Sequence, residues 1–205
     1  MTVIDGDLAE RASPSTGQAP PVEINVLGPE FAVSKGEEAL LAPRGYPAKL
    51  LAHLIAADGL MTVDAAIEGL WPGADPVAGR NRLHGVLLRL RRVLGLGAAG
   101  PISCVDGIVR IDRGGELRVD SWHFDSLVAL AGDHPRRLAA AIAAYRGDVL
   151  SVQFAYDDTV DAYRTALRRR FERLIERSRA QSTCQPSRAA SSTAPPSASR
   201  RSRSA

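Results

Sequence analysis

The sequence predicts an α+β fold in which short strands come first, three helices follow and a β-hairpin closes the series. Three observations predict it. Short apolar and β-branched runs lie between Val22 and Leu41, helical apolar periodicity extends from Pro47 to Leu94, and an Asp-Gly pair separates two β-branched runs at 102–111. This order of elements is that of a winged helix-turn-helix, and a small all-α segment is expected after it.

The first strands are short and precede any helix. The apolar residues at 24–27 suit one strand and those at 31–33 suit the next. A polar turn over 34–37 leads to a third short strand at about 39–41. Residues 1–21 are rich in Pro, Ser, Gly and Ala with few large apolar groups, which predicts a disordered lead-in.

Three helices follow, and their boundary residues can be recognised. Pro47 opens the first helix, because its missing N–H costs nothing in a first turn. Thr62 is a suitable N-cap for the second, and Asp75 with Pro76 opens the third, which is expected over 76–94. Helical spacing predicts the buried faces: Leu50, Leu51, Leu54 and Ile55 in the first helix, Val63, Ala66, Ile67 and Leu70 in the second, and Leu83, Leu87, Leu90 and Leu94 in the third.

The hairpin and the residues after it complete the expected organisation. Asp106-Gly107 between two β-branched runs is the strongest short-range indication of a hairpin. From Glu116 onward the pattern is helical, with helices expected over about 120–130, 135–145 and 157–179. Asp120 or Ser121 is expected to cap the first of them, and Trp122 and Phe124 are expected to pack between the two parts. The expected units are a winged helix over 22–115, a helical segment over 116–180 and a disordered Ser/Arg/Pro-rich tail over 181–205.

Positive charge is concentrated in two stretches. A net charge of +3 over 205 residues indicates no class of partner by itself. The tail carries five arginines and no acid after Ser178, and a second acid-free stretch with five arginines spans 76–105. Exposed helices usually intersperse Glu with Arg, because pairs at i,i+4 stabilise them. A basic helix face without acids, opposite a full leucine face, therefore favours DNA binding over a merely solvated surface.

The third helix is predicted to enter the major groove of duplex DNA, with hairpin 102–111 as a wing on the neighbouring groove or backbone. Arginine can pair with guanine or hold a phosphate, and asparagine can pair with adenine. The residues expected to contact bases are Arg80, Asn81, His84 and Leu88. Those expected to contact phosphates are Arg82, Arg89, Arg91, Arg92, Arg110 and Arg113; for the last two, an ordinary exposed charge is an equal alternative.

Several of these stretches also resemble a known family. The runs LLAHLIAADGLMTVDAAIEGLWPG (50–73) and GRNRLHGVLLRLRRVLG (79–95) resemble the OmpR-type winged helix of the Streptomyces antibiotic regulatory protein (SARP) family. VDSWHFDSLVAL (119–130) and AIAAYRGDVL (141–150) resemble the start of its bacterial transcriptional activation domain. The resemblance covers about 24–180. It implies a transcriptional activator that contacts RNA polymerase, through the loop 71–77 among other parts, and forms homodimers through paired helices.

The sequence departs from the family pattern in two places. His84 and Val86 stand where Gln and His are expected, so the resemblance implies a different preferred DNA site. The activation domain continues for several more helices in the family, whereas here Ser/Arg-rich sequence begins near residue 181. A natural short form and a shifted reading frame both account for this tail.

The sequence offers two alternatives to DNA binding. Gly95 to Gly100 spells GxGxxG, but a dinucleotide site needs a strand before it and a helix after it, whereas here a helix precedes and a strand is expected to follow. We therefore interpret it as a flexible linker and expect neither catalysis nor a cofactor. The main alternative is a helical protein-interaction or oligomerisation module that does not bind DNA.

The remaining polar residues predict no chemistry. Cys104 and Cys184 lie far apart, the four histidines are scattered, and no metal-ligand spacing occurs. His53 is expected to be an exposed helix residue. The arginines at 168–170, with Glu172 and Glu176 nearby, predict a solvated, ion-paired face. Neither a signal peptide nor a run of about 20 apolar residues is present, so a cytoplasmic location without membrane contact is expected.

Overall fold

The computed structural model of the protein describes residues 20–97, 100–113 and 115–183. The predicted lead-in, except its last two residues, and the predicted tail beyond Thr183 lie outside the described residues, as do two residues of the Gly-rich linker. The strands are β1 (Val22–Asn25), β2 (Ala32–Lys35), β3 (Glu38–Leu40), β4 (Leu60–Thr62), β5 (Ile102–Val105), β6 (Ile108–Ile111) and β7 (Leu117–Val119). The helices are α1 (Gly45–Ala56), α2 (Val63–Leu70), α3 (Pro76–Val93), α4 (Asp120–Ala131), α5 (Pro135–Ala144) and α6 (Asp158–Thr183).

The predicted α+β fold class is confirmed, with antiparallel strands first, three helices next, a hairpin after them and helices at the end. One sheet has the order β3-β2-β1-β7, and the second has the order β4-β6-β5. Strands β5 and β6 form the expected hairpin, with Ile102 opposite Ile111 and Val105 opposite Ile108. Asp106 and Gly107 turn between them with φ angles of 52° and 74°, the left-handed conformation that a two-residue Asp-Gly turn uses.

Two strands were not expected from the sequence. The three-residue strand β4 pairs antiparallel with β6 and turns the hairpin into a three-stranded wing sheet. The three-residue strand β7 pairs parallel with β1 and completes the first sheet. Segments of three residues are too short for an alternation of apolar and polar residues to identify them, and their extended conformation depends on partners that are distant in sequence.

The predicted helix starts are confirmed at α2 and α3. Thr62 Oγ1 accepts a hydrogen bond from the Ala65 amide at 3.1 Å, and Asp75 Oδ1 accepts one from the Ala78 amide at 2.9 Å. The start of α4 differs from the prediction, because neither Asp120 nor Ser121 caps that helix with its side chain.

The carboxylate of Asp120 is used elsewhere. It accepts hydrogen bonds from the amides of Val26 and Leu27 at 2.8 and 3.1 Å, just after β1, and it pairs with Arg146 at 3.0 Å. A residue predicted to cap its own helix therefore joins α4 to the first sheet instead.

The core extends through both predicted units. All predicted inward leucines of α3, from Leu83 to Leu94, are buried, and they belong to one cluster that also contains residues of α4, α5 and α6. Trp122 and Phe124 are buried as expected, and the Trp122 indole donates to the Ile55 carbonyl at 3.3 Å. The helical segment thus packs directly against α1.

His53 corrects one prediction. It was expected to be exposed, yet only 4% of its surface is accessible, because α6 begins directly over it. Its Nε2 lies 2.9 and 3.0 Å from the two carboxylate oxygens of Asp157. Burial acts to raise the pKa of Asp157, but hydrogen bonds from His53 and from the Val160 amide outweigh it and hold that pKa below its ordinary value.

Arg164 fixes the turn between α5 and α6. Its guanidinium is buried and donates to the carbonyls of Val149 at 2.8 Å, Leu150 at 3.3 Å and Phe154 at 2.9 Å, while Nη1 pairs with Asp161 at 2.8 Å. Leu150 has a φ of 44°, which is unfavourable for a residue with a branched side chain. Hydrogen bonds from one buried cation therefore hold a strained turn in place.

Within the described ranges, no helix is both long and apolar enough to cross a membrane. In the same part of the chain, no group of three or more His, Cys, Asp or Glu side chains could hold a metal ion.

Candidate nucleic-acid interface

Helix α3 has one buried face and one fully solvated face. Asp75 and Pro76 start it, and Gly95, with a φ of 62°, follows its end. The buried face comprises Gly79, Leu83, Val86, Leu87 and Leu90, and Leu94 just beyond the helix is buried as well. The exposed face comprises Arg80, Asn81, Arg82, His84, Gly85, Leu88, Arg89 and Arg92. All four residues predicted to contact bases are therefore solvent-exposed on one helix.

Helical geometry divides the exposed face into three rows, because successive residues are about 100° apart around the axis. The row pointing most directly away from the core holds Asn81, Gly85, Leu88 and Arg92. The row beside the wing holds Arg80, His84 and the partly buried Arg91. The row on the opposite side holds Arg82 and Arg89. Of the four predicted base-contacting residues, Asn81 and Leu88 thus lie in the outward row, whereas Arg80 and His84 lie beside the wing.

A cleft of about 310 Å³ separates the wing-side row from the wing. Arg80 and His84 line it from α3, Asp64 from α2, and Cys104 with Gly107 from the hairpin. Arg80 Nη2 lies 3.6 Å from Asp64 Oδ1, and both side chains are mostly exposed. An exposed pair at this distance contributes little stability, so the guanidinium of Arg80 remains accessible to another anion.

A second cleft lies along the opposite row and includes aromatic residues that the sequence analysis did not connect with α3. Tyr46 of α1 and Trp71 after α2 line it together with Arg82 and Arg89, and the two rings lie 5.0 Å apart. The tertiary fold alone brings Tyr46 and Trp71 beside these arginines, because the four residues belong to three separate elements. No local spacing in the sequence could have indicated this neighbourhood.

Three arginines on α3 have no ion-pair or hydrogen-bond partner within the described part of the chain: Arg82, Arg89 and Arg92. Arg91 differs from them, because its Nε donates to the carbonyl of Ile102 at 2.8 Å and joins α3 to β5. That Arg91 contacts a phosphate stays a prediction, and its Nε is already used in this internal hydrogen bond. The three unpaired guanidiniums give the solvated face of α3 a positive charge that nothing on the helix offsets.

The two wing arginines have different surroundings. Arg110 is exposed on β6, opposite Leu60 and Ser103, on the face of the wing sheet that does not carry the buried Val109. Arg113 lies beyond the strand, where Nη2 is 2.8 Å from Asp58 Oδ1 and the guanidinium stands 4.2 Å from the centre of the Trp122 ring. Arg113 therefore has internal partners, whereas the described residues give Arg110 none.

Arginines 168 and 170 of α6 do not join the interface. Arg168 pairs bidentately with Asp148, and Arg170 Nη1 lies 2.5 Å from Asp125. The predicted ion pairing of this stretch is confirmed for these two arginines, although the acids come from other elements and not from Glu172 and Glu176.

The GxGxxG stretch lacks the setting of a dinucleotide site. It follows α3 and precedes β5, the reverse of the strand–loop–helix order that such a site requires.

Comparison with known proteins supports the fold. No protein-family model and no curated protein matches the sequence. Among solved structures, the chain is similar to Mycobacterium tuberculosis EmbR in complex with a low affinity phosphopeptide, with a TM-score of 0.60 and 20% identity. The similarity covers 75% of this chain and 43% of that chain, so this protein spans less than half the length of the EmbR chain. At this identity the likeness shows the fold, and it agrees with the α+β architecture described above.

Proposed function

We propose that the protein is a sequence-specific double-stranded DNA-binding transcriptional regulator that inserts α3 into the major groove and places hairpin β5–β6 as a wing beside it. One observation carries the proposal: α3 presents an acid-free face with the unpaired guanidiniums of Arg82, Arg89 and Arg92, while its other face is committed to the core. A helix of this kind fits the width of the major groove, and its positive charge complements the negative charge of the phosphates.

The rows of α3 suggest a division of roles. Asn81 and Leu88 point most directly outward and are proposed to contact base edges, with Arg80 and His84 contributing from the wing side. Arg82 and Arg89 on one flank are proposed to contact one phosphate backbone, and Arg110 and Arg113 the backbone on the wing side. Arg92 shares the outward row with Asn81, and Arg91 lies on the wing side.

The helical segment over 116–180 is proposed to support regulation without catalysis or a cofactor. The resemblance described above implies activation, dimerisation and contact with RNA polymerase, with the loop 71–77 as one contact. A cytoplasmic location goes with this proposal, because a bacterial regulator of this kind acts on DNA in that compartment.

A second candidate function is a protein-interaction or oligomerisation module without DNA binding. Tyr156 is fully exposed and Val152 is 66% exposed, and both belong to the turn that precedes α6. Exposed apolar residues near one another can mark a protein contact. This candidate needs no positive charge on α3, so the two functions predict different consequences of removing the arginines.

Selection of binding sites from random duplexes, followed by salt titration, tests the proposal. We expect one enriched site and a linear fall of log K with log salt, with a slope of about −0.9 for each phosphate neutralised. The triple variant R82A/R89A/R92A should lose most of this binding and remain folded, whereas the matched variant R169A/R173A on α6 should behave as wild type. Folded wild-type protein without salt-sensitive duplex binding would leave the protein-interaction function as the better account.

A further inference from the structure

Helix α3 contains two glycines, and only one of them is explained by packing. An added Cβ at Gly79 would lie 2.6 Å from Ile67 Cγ2, so the crossing of α2 and α3 requires glycine there. In α2, a Cβ at Gly69 would lie 2.8 Å from His53 Nδ1. A Cβ at Gly85 meets nothing within 4 Å.

Gly85 therefore lowers the stability of α3 without relieving any steric contact among the described residues of the free protein. A glycine within a helix is unfavourable relative to alanine by roughly 1 kcal/mol. No neighbour needs the space, and Gly85 is not among the residues with a positive φ. The reason for a side-chain-free position must lie in something that the helix contacts from outside.

The surroundings of Gly85 indicate the chemistry of that contact. Leu88 follows it in the outward row and is 56% exposed, which makes it the most exposed large apolar side chain in the second half of α3. Together, Gly85 and Leu88 form a small apolar patch. Guanidinium groups flank this patch at Arg82, Arg89 and Arg92, and no acid lies on α3. A partner must therefore offer small apolar groups within an anionic surface.

Duplex DNA offers one such group in the major groove. The C5 methyl of thymine is the apolar feature among the donor and acceptor groups of the base edges, and phosphates line both sides of the groove. Resting on the proposed DNA-binding function, we propose that Gly85 lets the backbone of α3 approach the base edges closely and that Leu88 packs on thymine methyl groups there. The target site accordingly contains thymine beneath the centre of α3.

Replacement of single thymines by deoxyuracil in the selected duplex tests this inference, because it removes only the methyl group. Burial of one methyl corresponds to a three- to fivefold change in affinity, from about 0.8 kcal/mol per buried carbon. Wild type should lose about this factor at one or two thymines. L88A should bind the thymine duplex more weakly by a similar factor and should no longer distinguish thymine from deoxyuracil. L130A, which removes an exposed leucine from α4, should bind as wild type does.

G85A tests the close approach separately. The thermal midpoint should rise by roughly 2–4 °C, because alanine favours the helix and the added Cβ meets open space. Affinity for the selected duplex should nevertheless fall by at least tenfold, because the Cβ would occupy the space of a base edge.

The outcomes separate this inference from the proposed function. If no duplex is selected by wild type, the proposed function fails. If a duplex is selected but no thymine matters to wild type, or if L88A still distinguishes thymine from deoxyuracil, the methyl contact is wrong. If G85A binds within twofold of wild type, the close approach is wrong, although DNA binding stands.

Discussion

Helices α3 and α6 are both rich in arginine, yet they use this residue in opposite ways. In α6, Arg164 is buried among backbone carbonyls, and Arg168, Arg170 and Arg177 each pair with an aspartate from α4 or from a loop. In α3, the described residues provide no partner for Arg82, Arg89 or Arg92. The arginine content of the two helices is similar, but the four arginines of α6 named above have partners within the fold, whereas the three of α3 have none among the described residues.

The comparison teaches that acids elsewhere in the fold, and not the arginines themselves, decide which guanidiniums are paired. The acids that pair with α6 lie 20 to 45 residues away from their partners in sequence. They are Asp125, Asp133 and Asp148. Among the described residues, the acid that pairs with an arginine of α3 is Asp64, whose Oδ1 lies 3.6 Å from Arg80 Nη2. Three predictions test this distinction, from the largest expected effect to the smallest.

Replacement of Arg164 should have the largest effect and should affect stability alone. R164M leaves three carbonyls without their donor and Asp161 without its cation, so the free energy of unfolding should fall by about 3–5 kcal/mol. Urea denaturation measures this loss. R169A, an exposed arginine of the same helix without a partner among the described residues, should change stability by less than about 0.5 kcal/mol. Equal stability of R164M and R169A would show that the buried hydrogen bonds contribute little.

Replacement of two α3 arginines should change binding and leave stability unchanged. The double variant R89A/R92A removes two proposed phosphate contacts, so the slope of log K against log salt should become shallower by about 1.8. Between 50 and 200 mM salt, wild type should then lose roughly tenfold more affinity than the variant. Fluorescence anisotropy with the selected duplex measures both slopes. If R89A/R92A had the wild-type slope, or were much less stable than wild type, the proposed difference between the arginines of α3 and those of α6 would be wrong.

Replacement of Arg168 should have the smallest effect, and that effect should depend on pH. The hydrogen bonds from Arg168 hold the pKa of Asp148 below its ordinary value of 3.8. A carboxylate with a lowered pKa in the folded state contributes stability above its unfolded pKa and loses it as the pH falls through the folded value. Since Arg168 is half exposed, R168A should cost less than about 1 kcal/mol at pH 7.

Acid denaturation checks that sign. The difference in unfolding free energy between wild type and R168A should shrink steadily below about pH 4, as Asp148 becomes protonated in both proteins. A difference that grows as the pH falls would mean that Arg168 acts through some other contact.

Much of the interface could be predicted from the sequence, because its determinants are local. The capping residues Thr62 and Asp75, the leucine spacing of α3 and the Asp-Gly turn each act within a few residues of their own position. The leucine spacing predicts an end at residue 94, and α3 ends at Val93. The absence of acids between 76 and 105 predicted that the arginines of α3 have no acidic partner on their own helix, but not that Arg80 pairs with Asp64 or that Arg91 donates to the Ile102 carbonyl.

The features that escaped prediction all depend on residues distant in sequence. His53 is buried because α6 begins over it, more than 100 residues later in the chain. The carboxylate of Asp120 has the spacing of a cap but binds amides 93 and 94 residues away. The sequence does not distinguish Gly79 from Gly85. In the fold, Ile67 packs against Gly79 and requires glycine there, whereas no described residue packs against Gly85.

The parallel pairing of β7 with β1 has a practical consequence for anyone who divides this protein into parts. A fragment ending near residue 115 would retain α3 and the wing, but it would lack β7, and the open edge of β1 would face solvent. The amides of Val26 and Leu27 would also lose the carboxylate of Asp120. Exposed strand edges recruit further strands, so such a fragment should tend to aggregate. The elements proposed to bind DNA are therefore expected to depend for their solubility on a segment that follows them in the chain and does not cover the exposed face of α3.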